Sequence, residues 1–413
     1  MQRRGAAVAA AGLAAVPLYF YLSDSEASVY KHALRAGRFI TEKDHELAHR
    51  LSVFAAKYHL VPRDRVGNDR RLESKVWGMS FPNPIGLAAG FDKNAECIPA
   101  TFTLGFGFTE VGTVTPLPQP GNPSPRVFRL AKDEAIINRF GFNSEGVEVV
   151  ARNLARFREQ QASVSPESRS VVGVNLGKNK TSEDATQDFL TGVRKLAQYA
   201  DYLVINVSSP NTAGLRDLQA KEPLKALLTA VTRELALVTA DPSYASKSSS
   251  RNPNFRPPLL IKVSPDMTDK ELENVAAVCL EVPVDGIVIS NTTVGERDKL
   301  KETFLASEPG GLSGKPLLSR SNAALASMYR HTKGKIPIIG VGGVGSAEDA
   351  YEKIKLGASL VQVYTALVYE GPALPATMKR ELVDLLKADG FVNVQEAVGV
   401  AHKSKNEFMM MML

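Results

Sequence analysis

Cysteine is scarce in this sequence, which has only Cys97 and Cys279 among its 413 residues. Two cysteines cannot form a disulfide framework, and without a CxxC pair neither structural zinc nor an iron–sulfur cluster is expected. Each lies in an apolar stretch, so we predict that both are buried packing residues. The formal net charge is +6, but no basic run is interleaved with aromatic residues. Nucleic-acid binding is therefore not indicated, and a basic surface near a membrane is the preferred explanation of the charge.

Long uncharged runs are also lacking, except at residues 6–22, which read AAVAAAGLAAVPLYFYL and follow Arg3 and Arg4. Seventeen residues is the lower end of a membrane span, which takes roughly 17–25 residues. A cleaved secretory signal is the alternative, but no clear small-x-small cleavage site follows. Arginine and alanine without early acidic residues also suit a mitochondrial presequence. We predict that residues 1–24 are a targeting sequence that is retained as a single-pass transmembrane anchor.

Two helices are predicted next, at about residues 25–36 and 43–58. In the second, apolar residues recur at helical spacing and form one stripe: Leu47, Leu51, Phe54 and Tyr58. His45 and His49 lie one turn apart, a spacing more typical of a solvated face than of a metal site. Residues 25–62 are thus expected to form a small amphipathic module that packs on the main domain, lies on a bilayer, or does both. Its apolar stripe is suited to the entrance of a lipid-soluble substrate.

From about residue 75, short apolar runs alternate with helical patterns. Eight such βα units predict an α/β fold, a (β/α)₈ TIM barrel over residues 63–400, with an open doubly wound sheet as the alternative. A stretch rich in serine, proline and asparagine, 241–256, is predicted to be a surface loop, and residues 401–413 form a tail without assigned function. The predicted strands are Ile85–Ala89, Phe108–Gly112, Val171–Leu176, Tyr202–Val207, Leu259–Val263, Gly286–Ser290, Ile336–Val341 and Ser359–Val363, and the predicted helices span 147–160, 184–199, 221–239, 268–280, 319–331 and 347–356.

Polar residues follow the fourth of these strands in the stretch LVINVSSPNTAGLR. Asn206 ends the strand, and Ser209 precedes Pro210, which biases the serine backbone towards an extended conformation. A hydroxyl is thereby held beside two carboxamides, those of Asn206 and Asn211. An isolated Ser-Pro-Asn is more often a turn that caps a helix. Here, however, asparagines recur at other strand ends, and the carboxyl ends of barrel strands share one rim.

Glycines after the seventh strand indicate a phosphate site. Residues 340–345 read GVGGVG, Tyr364 and Thr365 follow the eighth strand, and the loops after these two strands commonly bind phosphate in this fold. The glycine-rich segment Gly310–Pro316 either closes over the same phosphate or is an ordinary flexible loop. Lys262 stands inside an apolar strand, where a lysine either extends to solvent or serves a site that uses its charge. Lys93 is placed to meet a substrate carboxylate.

Taken in order, ten motifs resemble the dihydroorotate dehydrogenase family, and in particular its membrane-associated class 2, which reduces quinones. They span roughly residues 30–400 and read AAGFDKN, GTVTPLPQPGNPSPR, NRFGFNS, GVNLGKNK, NVSSPNTAGLR, IKVSPD, SNTT, GGLSGKPL, GVGGVGS and VQVYTAL. The resemblance implies FMN in the barrel mouth and the oxidation of dihydroorotate to orotate in pyrimidine biosynthesis, with ubiquinone as electron acceptor. No metal is implied.

The resemblance also implies roles for individual residues. It makes Ser209 the base that removes a proton from C5 of dihydroorotate, while hydride leaves C6 for N5 of FMN. The charge of Lys262 would stabilise the reduced, anionic flavin. The residues implied to contact FMN are Ala88, Ala89, Gly90, Thr113, Asn138, Asn175, Asn206, Lys262, Ser290, Gly314, Gly343, Tyr364 and Thr365. Those implied to contact substrate are Lys93, Asn138, Phe142, Asn206, Asn211, Asn291 and Thr292.

The helical module would then form the quinone access path, with His49, Arg129 and Tyr364 near its inner end. The expected location is the mitochondrial inner membrane. By the positive-inside rule Arg3 and Arg4 would lie in the matrix and the barrel would face the intermembrane space. Two alternatives remain open. One is another FMN barrel that oxidises or reduces a pyrimidine with a different acceptor, and the other is a membrane-tethered binding protein without turnover.

Overall fold

The computed structural model describes residues 20–42, 44–165, 168–247 and 255–403. Residues 6–19 of the predicted anchor, residues 248–254 of the predicted surface loop and residues 404–413 of the tail lie outside these ranges. Among the described residues, no helix combines the length and apolar character needed to cross a membrane.

Strands of three sheets are found in the described ranges. In chain order they are β1 (Ser74–Val76), β2 (Met79–Phe81), β3 (Ile85–Leu87), β4 (Phe108–Val114), β5 (Val127–Leu130), β6 (Ala135–Asn138), β7 (Val171–Leu176), β8 (Tyr202–Asn206), β9 (Leu259–Val263), β10 (Gly286–Ile289), β11 (Gly311–Gly314), β12 (Ile338–Val341) and β13 (Ala358–Val363).

The central sheet is a closed barrel of eight parallel strands in the cyclic order β3-β4-β7-β8-β9-β10-β12-β13. Helices cover the outside of a parallel barrel and side chains fill its interior, so the strands are near-continuous apolar runs buried on both faces. This is why all eight could be recognised in the sequence. Each predicted strand overlaps a barrel strand, and those at Val171–Leu176 and Leu259–Val263 have the predicted bounds. The (β/α)₈ prediction is confirmed, and the open sheet is excluded.

Helices flank the barrel and extend the chain at both ends. They are α1 (Val29–Ile40), α2 (His45–Lys57), α3 (Ile98–Thr103), α4 (Val147–Gln160), α5 (Ala185–Leu196), α6 (Lys221–Ala240), α7 (Pro242–Lys247), α8 (Asp269–Glu281), α9 (Thr303–Ala306), α10 (Leu318–Thr332), α11 (Ala347–Lys355), α12 (Thr365–Glu370) and α13 (Leu374–Ala388). Cys97 and Cys279 are both buried, as predicted.

The hairpin β1–β2 closes the amino-terminal end of the barrel. Trp77, in its turn, donates from Nε1 to the carbonyl of Asp285 at 2.7 Å and packs its ring 5.7 Å from that of Tyr202. Phe81 makes an edge contact with Phe108. Because this end is filled by side chains, access to the barrel interior is from the carboxyl ends of the strands.

A small antiparallel sheet, β5-β6-β11, stands beside that open end. It excludes the alternative of an ordinary flexible loop at Gly310–Pro316, because Gly311–Gly314 pairs with Ala135–Asn138 along its whole length. Two of its strands come from the segment after β4 and the third from the segment after β10. No local pattern in the sequence shows that these distant segments pair.

The helix α7 corrects the other loop prediction, at 241–256. The carboxylate of Asp241 accepts the backbone N–H of Ser243 at 2.7 Å, which stabilises the first turn. Tyr244 is buried, and its hydroxyl donates to the carbonyl of Ala197 at 3.3 Å. One aromatic anchor therefore orders the beginning of a segment whose composition is typical of a loop.

The amino-terminal helices α1 and α2 pack over the carboxyl end of the barrel. Glu46 and Arg126 form a half-buried ion pair with two hydrogen bonds, at 2.7 and 2.9 Å. His45 accepts the backbone N–H of Arg129 at 3.1 Å. The expected solvated face at His45 and His49 is therefore wrong, because both imidazoles point towards the barrel. Large apolar side chains are exposed on the outside of the module instead, with Phe39 80 % exposed, Phe54 56 % and Leu60 69 %, next to exposed basic residues such as Arg50.

Candidate active site

A cavity of about 720 Å³ lies between the carboxyl ends of the barrel strands and the pair α1–α2. This is the end at which barrel enzymes carry their active sites. Of the residues assigned to substrate, FMN or quinone by resemblance, all but one line this cavity. The exception is Asn175, which is fully buried directly behind the lining. No group of three or more His, Cys, Asp or Glu side chains suited to a metal occurs in the part of the chain that the structure describes.

The floor of the cavity is a hydrogen-bonded network of side chains from neighbouring strands. Asn206 donates from Nδ2 to Oδ1 of Asn175 at 3.0 Å and to Oγ1 of Thr113 at 3.1 Å. Thr113 donates to the same Oδ1 of Asn175 at 2.6 Å. Parallel strands bring these side chains together because their ends meet at one edge of the sheet. The network fixes the amide planes before any ligand arrives.

Ser209 lies on the loop after β8 and is 6 % exposed. Its Oγ accepts the backbone N–H of Asn211 at 3.3 Å. No side chain among the described residues is recorded within hydrogen-bond distance of this hydroxyl. Arg216 holds the loop, because its guanidinium donates to the carbonyl of Ser208 at 3.0 Å and to the carbonyl of Thr292 at 3.1 Å. The hydroxyl is thus fixed on a braced loop that faces the cavity.

Two other asparagines join this loop to its neighbours. Asn291, after β10, donates from Nδ2 to Oδ1 of Asn206 at 3.2 Å and to Oγ of Ser208 at 2.9 Å. Asn211 donates to the backbone carbonyl of Asn138 at 3.2 Å, which ties the loop to β6. The asparagines identified at separate strand ends therefore converge on one wall of the cavity.

The glycine turn after β12 lines the same cavity as Ser209. Gly342 and Gly343 have φ values of +112° and +78°, a region that side chains disfavour. A Cβ on Gly343 would lie 2.4 Å from Cα of Leu318, so the turn is packed against the start of α10. The N–H of Gly345 is already donated to Asp349 at 2.9 Å. Free backbone N–H groups for an anion are thus expected at Gly343 and Val344 rather than at Gly345.

Two lysines bring positive charge to the cavity. Burial lowers the pKa of Lys93 to about 7, although the nearby Glu46 acts in the opposite direction. Its ammonium lies 3.7 Å from the centroid of the Phe140 ring, a cation–π contact. Burial also lowers the pKa of Lys262, again opposed by a carboxylate, that of Glu110. Within the described residues no acceptor is recorded within hydrogen-bond distance of the Lys262 ammonium, so its charge is free to interact with a ligand.

His49 links the two helices of the module to the barrel mouth. Its Nε2 lies 3.4 Å from Nζ of Lys93, and its Nδ1 lies 3.4 Å from the hydroxyl of Tyr364. Burial, and then the charge of Lys93, lower the pKa of His49 well below its usual range, so the imidazole is neutral at pH 7. Arg129, on β5, lies beside the end of α1, where it donates to Oγ1 of Thr41 at 3.3 Å.

Sequence reasoning missed three buried residues at the floor: Gln362, which lines the cavity, and Glu110 and Tyr202 behind it. Glu110 accepts from Asn175 at 2.8 Å, from Gln362 at 2.7 Å and from Tyr202 at 3.3 Å. The sequence did contain a signal for Glu110, because it is a charged residue inside an apolar strand, as Lys262 is. Phe140 was also missed, since only the folded chain brings its ring beneath Lys93.

Comparison with known proteins agrees with this geometry. The family model described as dihydroorotate dehydrogenase matches residues 71–386. The dihydroorotate dehydrogenase (quinone), mitochondrial, of Oryza sativa subsp. japonica is 50 % identical over 376 residues, covering 87 % of this chain and 78 % of the relative. The corresponding mitochondrial protein of Mus musculus is 49 % identical over 360 residues, covering 87 % of each chain.

Solved structures show the same likeness. The ligand-free DHODH of Eimeria tenella superposes with a TM-score of 0.83 at 43 % identity, over 87 % of this chain and all of that one. The complex of that protein with ferulenol gives a TM-score of 0.82, over 87 % and 96 % of the two chains. With a family model matching most of the chain and relatives at half identity, this chain belongs to the dihydroorotate dehydrogenase family of enzymes.

Proposed function

We propose that this enzyme oxidises dihydroorotate to orotate with bound FMN and passes the electrons to a membrane quinone, as a step of pyrimidine biosynthesis. The observation that supports this most strongly is that Ser209 and the glycine turn Gly342–Val344 open onto one cavity. A base for the substrate and a cradle for a phosphate are thereby within reach of a single bound flavin. The name dihydroorotate dehydrogenase (quinone), carried by plant, animal and bacterial relatives, supports the acceptor.

The residues present fit FMN. The turn at Gly343 leaves no room for a side chain, which suits backbone N–H groups that approach a phosphate. Lys262 offers a buried ammonium that has no hydrogen-bond acceptor among the described residues, and the amides of Asn206 and Asn291, which line the cavity, suit a heterocycle with imide edges. Asn175 supports Asn206 from behind the lining. When bound, FMN would supply the hydride acceptor that the protein itself lacks.

Ser209 is proposed to take the proton from C5 of dihydroorotate. A free serine hydroxyl is a weak base at neutral pH. Ser209 must therefore pass its own proton to a relay as it takes the C5 proton, and fixed donors must stabilise the charge that develops on the substrate. The side chains of Asn291 and Asn211 lie on the same wall as Ser209. Lys93, whose ammonium lies over the ring of Phe140, is suited to hold the substrate carboxylate. Bracing by Arg216 keeps the hydroxyl in place.

The quinone is proposed to enter between α1 and α2. This part of the cavity is lined by apolar residues such as Leu34, Ala48, Ala55 and Leu367, and His49 and Tyr364 line the same cavity. An apolar passage suits a lipid-soluble acceptor rather than a nucleotide. The exposed apolar side chains of α1–α2, together with exposed basic residues such as Arg50, support contact with a bilayer. We propose the mitochondrial inner membrane as its location, with the barrel facing the intermembrane space, which protease protection in mitoplasts would test.

A spectroscopic experiment tests the whole proposal. The purified protein should be yellow, and dihydroorotate should bleach it in the absence of oxygen. Addition of a quinone should then restore the colour. Restoration by NAD or fumarate but not by quinone would identify a different acceptor, and no bleaching by dihydroorotate would identify a different substrate or a binding protein.

A further inference from the structure

The buried carboxylate of Glu110 stands at one end of a chain of side-chain amides. Asn175 points its Nδ2 at Glu110, at 2.8 Å, and its Oδ1 accepts from Asn206 at 3.0 Å. Asn206 in turn points its Oδ1 at Nδ2 of Asn291, at 3.2 Å. Asn291 then accepts the backbone N–H of Thr292 at 2.8 Å. All three amides thus run head to tail, with each nitrogen towards Glu110 and each oxygen away from it.

This common direction has a physical cause. An ionised carboxylate can only accept hydrogen bonds, whereas an amide can turn either end towards a partner. Asn175 must therefore present Nδ2 to Glu110, which leaves Oδ1 for Asn206. Asn206 and Asn291 follow in the same direction, and the backbone N–H groups of Ser208 and Thr292 support it by donating to their Oδ1 atoms at 3.3 and 2.8 Å. Hydrogen bonds in such chains polarise one another in a low-dielectric interior. The other carboxylate oxygen, Oε2, is held by Gln362 and Tyr202, so Glu110 itself cannot turn away.

We propose that Glu110 is a positioning residue for the ligand-binding amides, because it sets which ends of Asn206 and Asn291 are donors and which are acceptors. This inference rests on the proposed function, since Asn206 and Asn291 are two of the residues that the family resemblance implies contact substrate. Glu110 itself does not line the cavity, and it acts through Asn175. A heterocycle with fixed donor and acceptor edges would then be recognised only by amides in the observed direction.

The variant Glu110→Gln tests the proposal at nearly constant shape. Its amide oxygen is expected to stay with the donors Gln362 and Tyr202, so its nitrogen faces Nδ2 of Asn175. Two donors then oppose each other, so Asn175 must turn over, which sets its Nδ2 against Nδ2 of Asn206 and breaks the common direction of the chain. We expect the affinity for orotate, read from the change in the flavin absorption spectrum, to fall about tenfold or more, the scale of a lost charge-assisted hydrogen bond.

Two further variants distinguish an effect of the direction of the amide chain from the simple loss of a hydrogen bond to Glu110. Tyr202→Phe removes one donor from the same carboxylate without touching the amide chain, and its orotate affinity should stay within about twofold of the wild type, since a second donor remains. Glu110→Gln combined with Asn175→Asp moves the carboxylate one step along the chain. Asn206 then again donates towards an acceptor, and affinity should recover relative to Glu110→Gln.

The outcomes are distinct. The proposal is overturned if Glu110→Gln binds orotate like the wild type, if Tyr202→Phe loses as much affinity, or if the double variant shows no recovery. If Glu110 acted only through its charge on Lys262, Glu110→Gln would change the reduction potential of the flavin and leave the orotate affinity unchanged. If Glu110→Gln cannot be purified, the double variant is compared with Asn175→Asp alone. The single variant Asn175→Asp sets its new carboxylate against that of Glu110, so it should bind orotate more weakly than the double variant. If the wild-type protein did not bind orotate, the proposed function itself would be refuted.

Discussion

At the scale of single residues, burial decides the chemistry of the ionisable groups in the cavity. Lys93 and His49 lie 3.4 Å apart, and burial lowers the pKa of both. Since His49 is neutral at pH 7, Lys93 is the group of this pair that changes charge near neutrality. The two lysines of the cavity also differ, because Lys93 faces Phe140 and the helical module whereas Lys262 comes from the barrel interior.

The charge of Lys93 gives the first prediction. With a pKa of about 7 in the free protein, Lys93 is protonated below pH 7 and loses its charge above it. A bound carboxylate raises that pKa, so orotate affinity should be constant below pH 7 and fall about tenfold per pH unit above it, until the pKa of the complex is reached. Titration of the flavin spectrum with orotate between pH 6 and 8.5 measures this.

Two variants check the assignment. Lys93→Met should bind orotate weakly at every pH and should abolish the dependence. Lys57→Met, on the same module but exposed and paired with Glu96, is the matched control and should keep the wild-type profile. A wild-type profile that is flat across this range would contradict the role of Lys93.

Ser209 gives the second prediction. Ser209→Ala should retain FMN, because among the described residues the hydroxyl of Ser209 bonds to the loop N–H of Asn211 alone. The rate of flavin reduction by dihydroorotate should nevertheless fall by about 10²–10⁴-fold. Stopped-flow absorbance under anaerobic conditions measures this single step. Ser209→Cys restores a group that can accept a proton and should be faster than Ser209→Ala. A near-normal rate in Ser209→Ala would remove Ser209 from this role.

At the scale of elements, the turn between β12 and α11 shows how backbone shape prepares a binding site. Its glycines differ in what surrounds them. A Cβ on Gly343 would lie 2.4 Å from Cα of Leu318, whereas on Gly345 the nearest atom would be 3.7 Å away. Gly343 also has a φ of +78°. Position 343 therefore requires glycine, whereas position 345 tolerates a methyl group. The sequence GVGGVG does not distinguish these two positions.

This difference gives the third prediction. Gly343→Ala should displace the turn and weaken FMN binding by about tenfold or more, the effect of losing one or two hydrogen bonds to a charged phosphate. Riboflavin, which has no phosphate, should be affected much less. Gly345→Ala is the control and should bind FMN normally. Fluorescence titration of the apoprotein with both flavins measures the four affinities; equal FMN affinity in the two variants would place the phosphate elsewhere.

At the scale of the whole molecule, the barrel and the module α1–α2 enclose one cavity with two kinds of wall. Strand-end amides form the inner wall, and apolar helix residues form the outer wall. The ion pair of Glu46 with Arg126 fastens the module to the segment before β5. Such an arrangement lets a polar substrate and an apolar one reach the same flavin from different sides.

The fourth prediction concerns the kinetics of the complete enzyme. If the flavin is reduced by one substrate and reoxidised by the other, initial rates should follow a ping-pong pattern, with parallel lines in double-reciprocal plots. Residues of the outer wall should affect only the quinone step. Leu51→Glu, on an exposed part of α2 that also lines the cavity, should raise the KM for quinone and leave dihydroorotate-dependent flavin reduction unchanged. Intersecting lines would argue for a ternary complex.

The sequence alone determined the barrel and the chemical character of its mouth. Buried parallel strands are continuous apolar runs, and the polar residues that end them must meet at one rim, so Ser209, Asn206 and Lys262 could be placed without coordinates. The tertiary structure decided what depends on distant contacts. The pairing of β11 with β6, the inward face of His49, the ring beneath Lys93 and the carboxylate behind Asn175 each join segments far apart in the chain. Local spacing carries no information about which of them meet, because packing and burial select those partners only when the barrel closes.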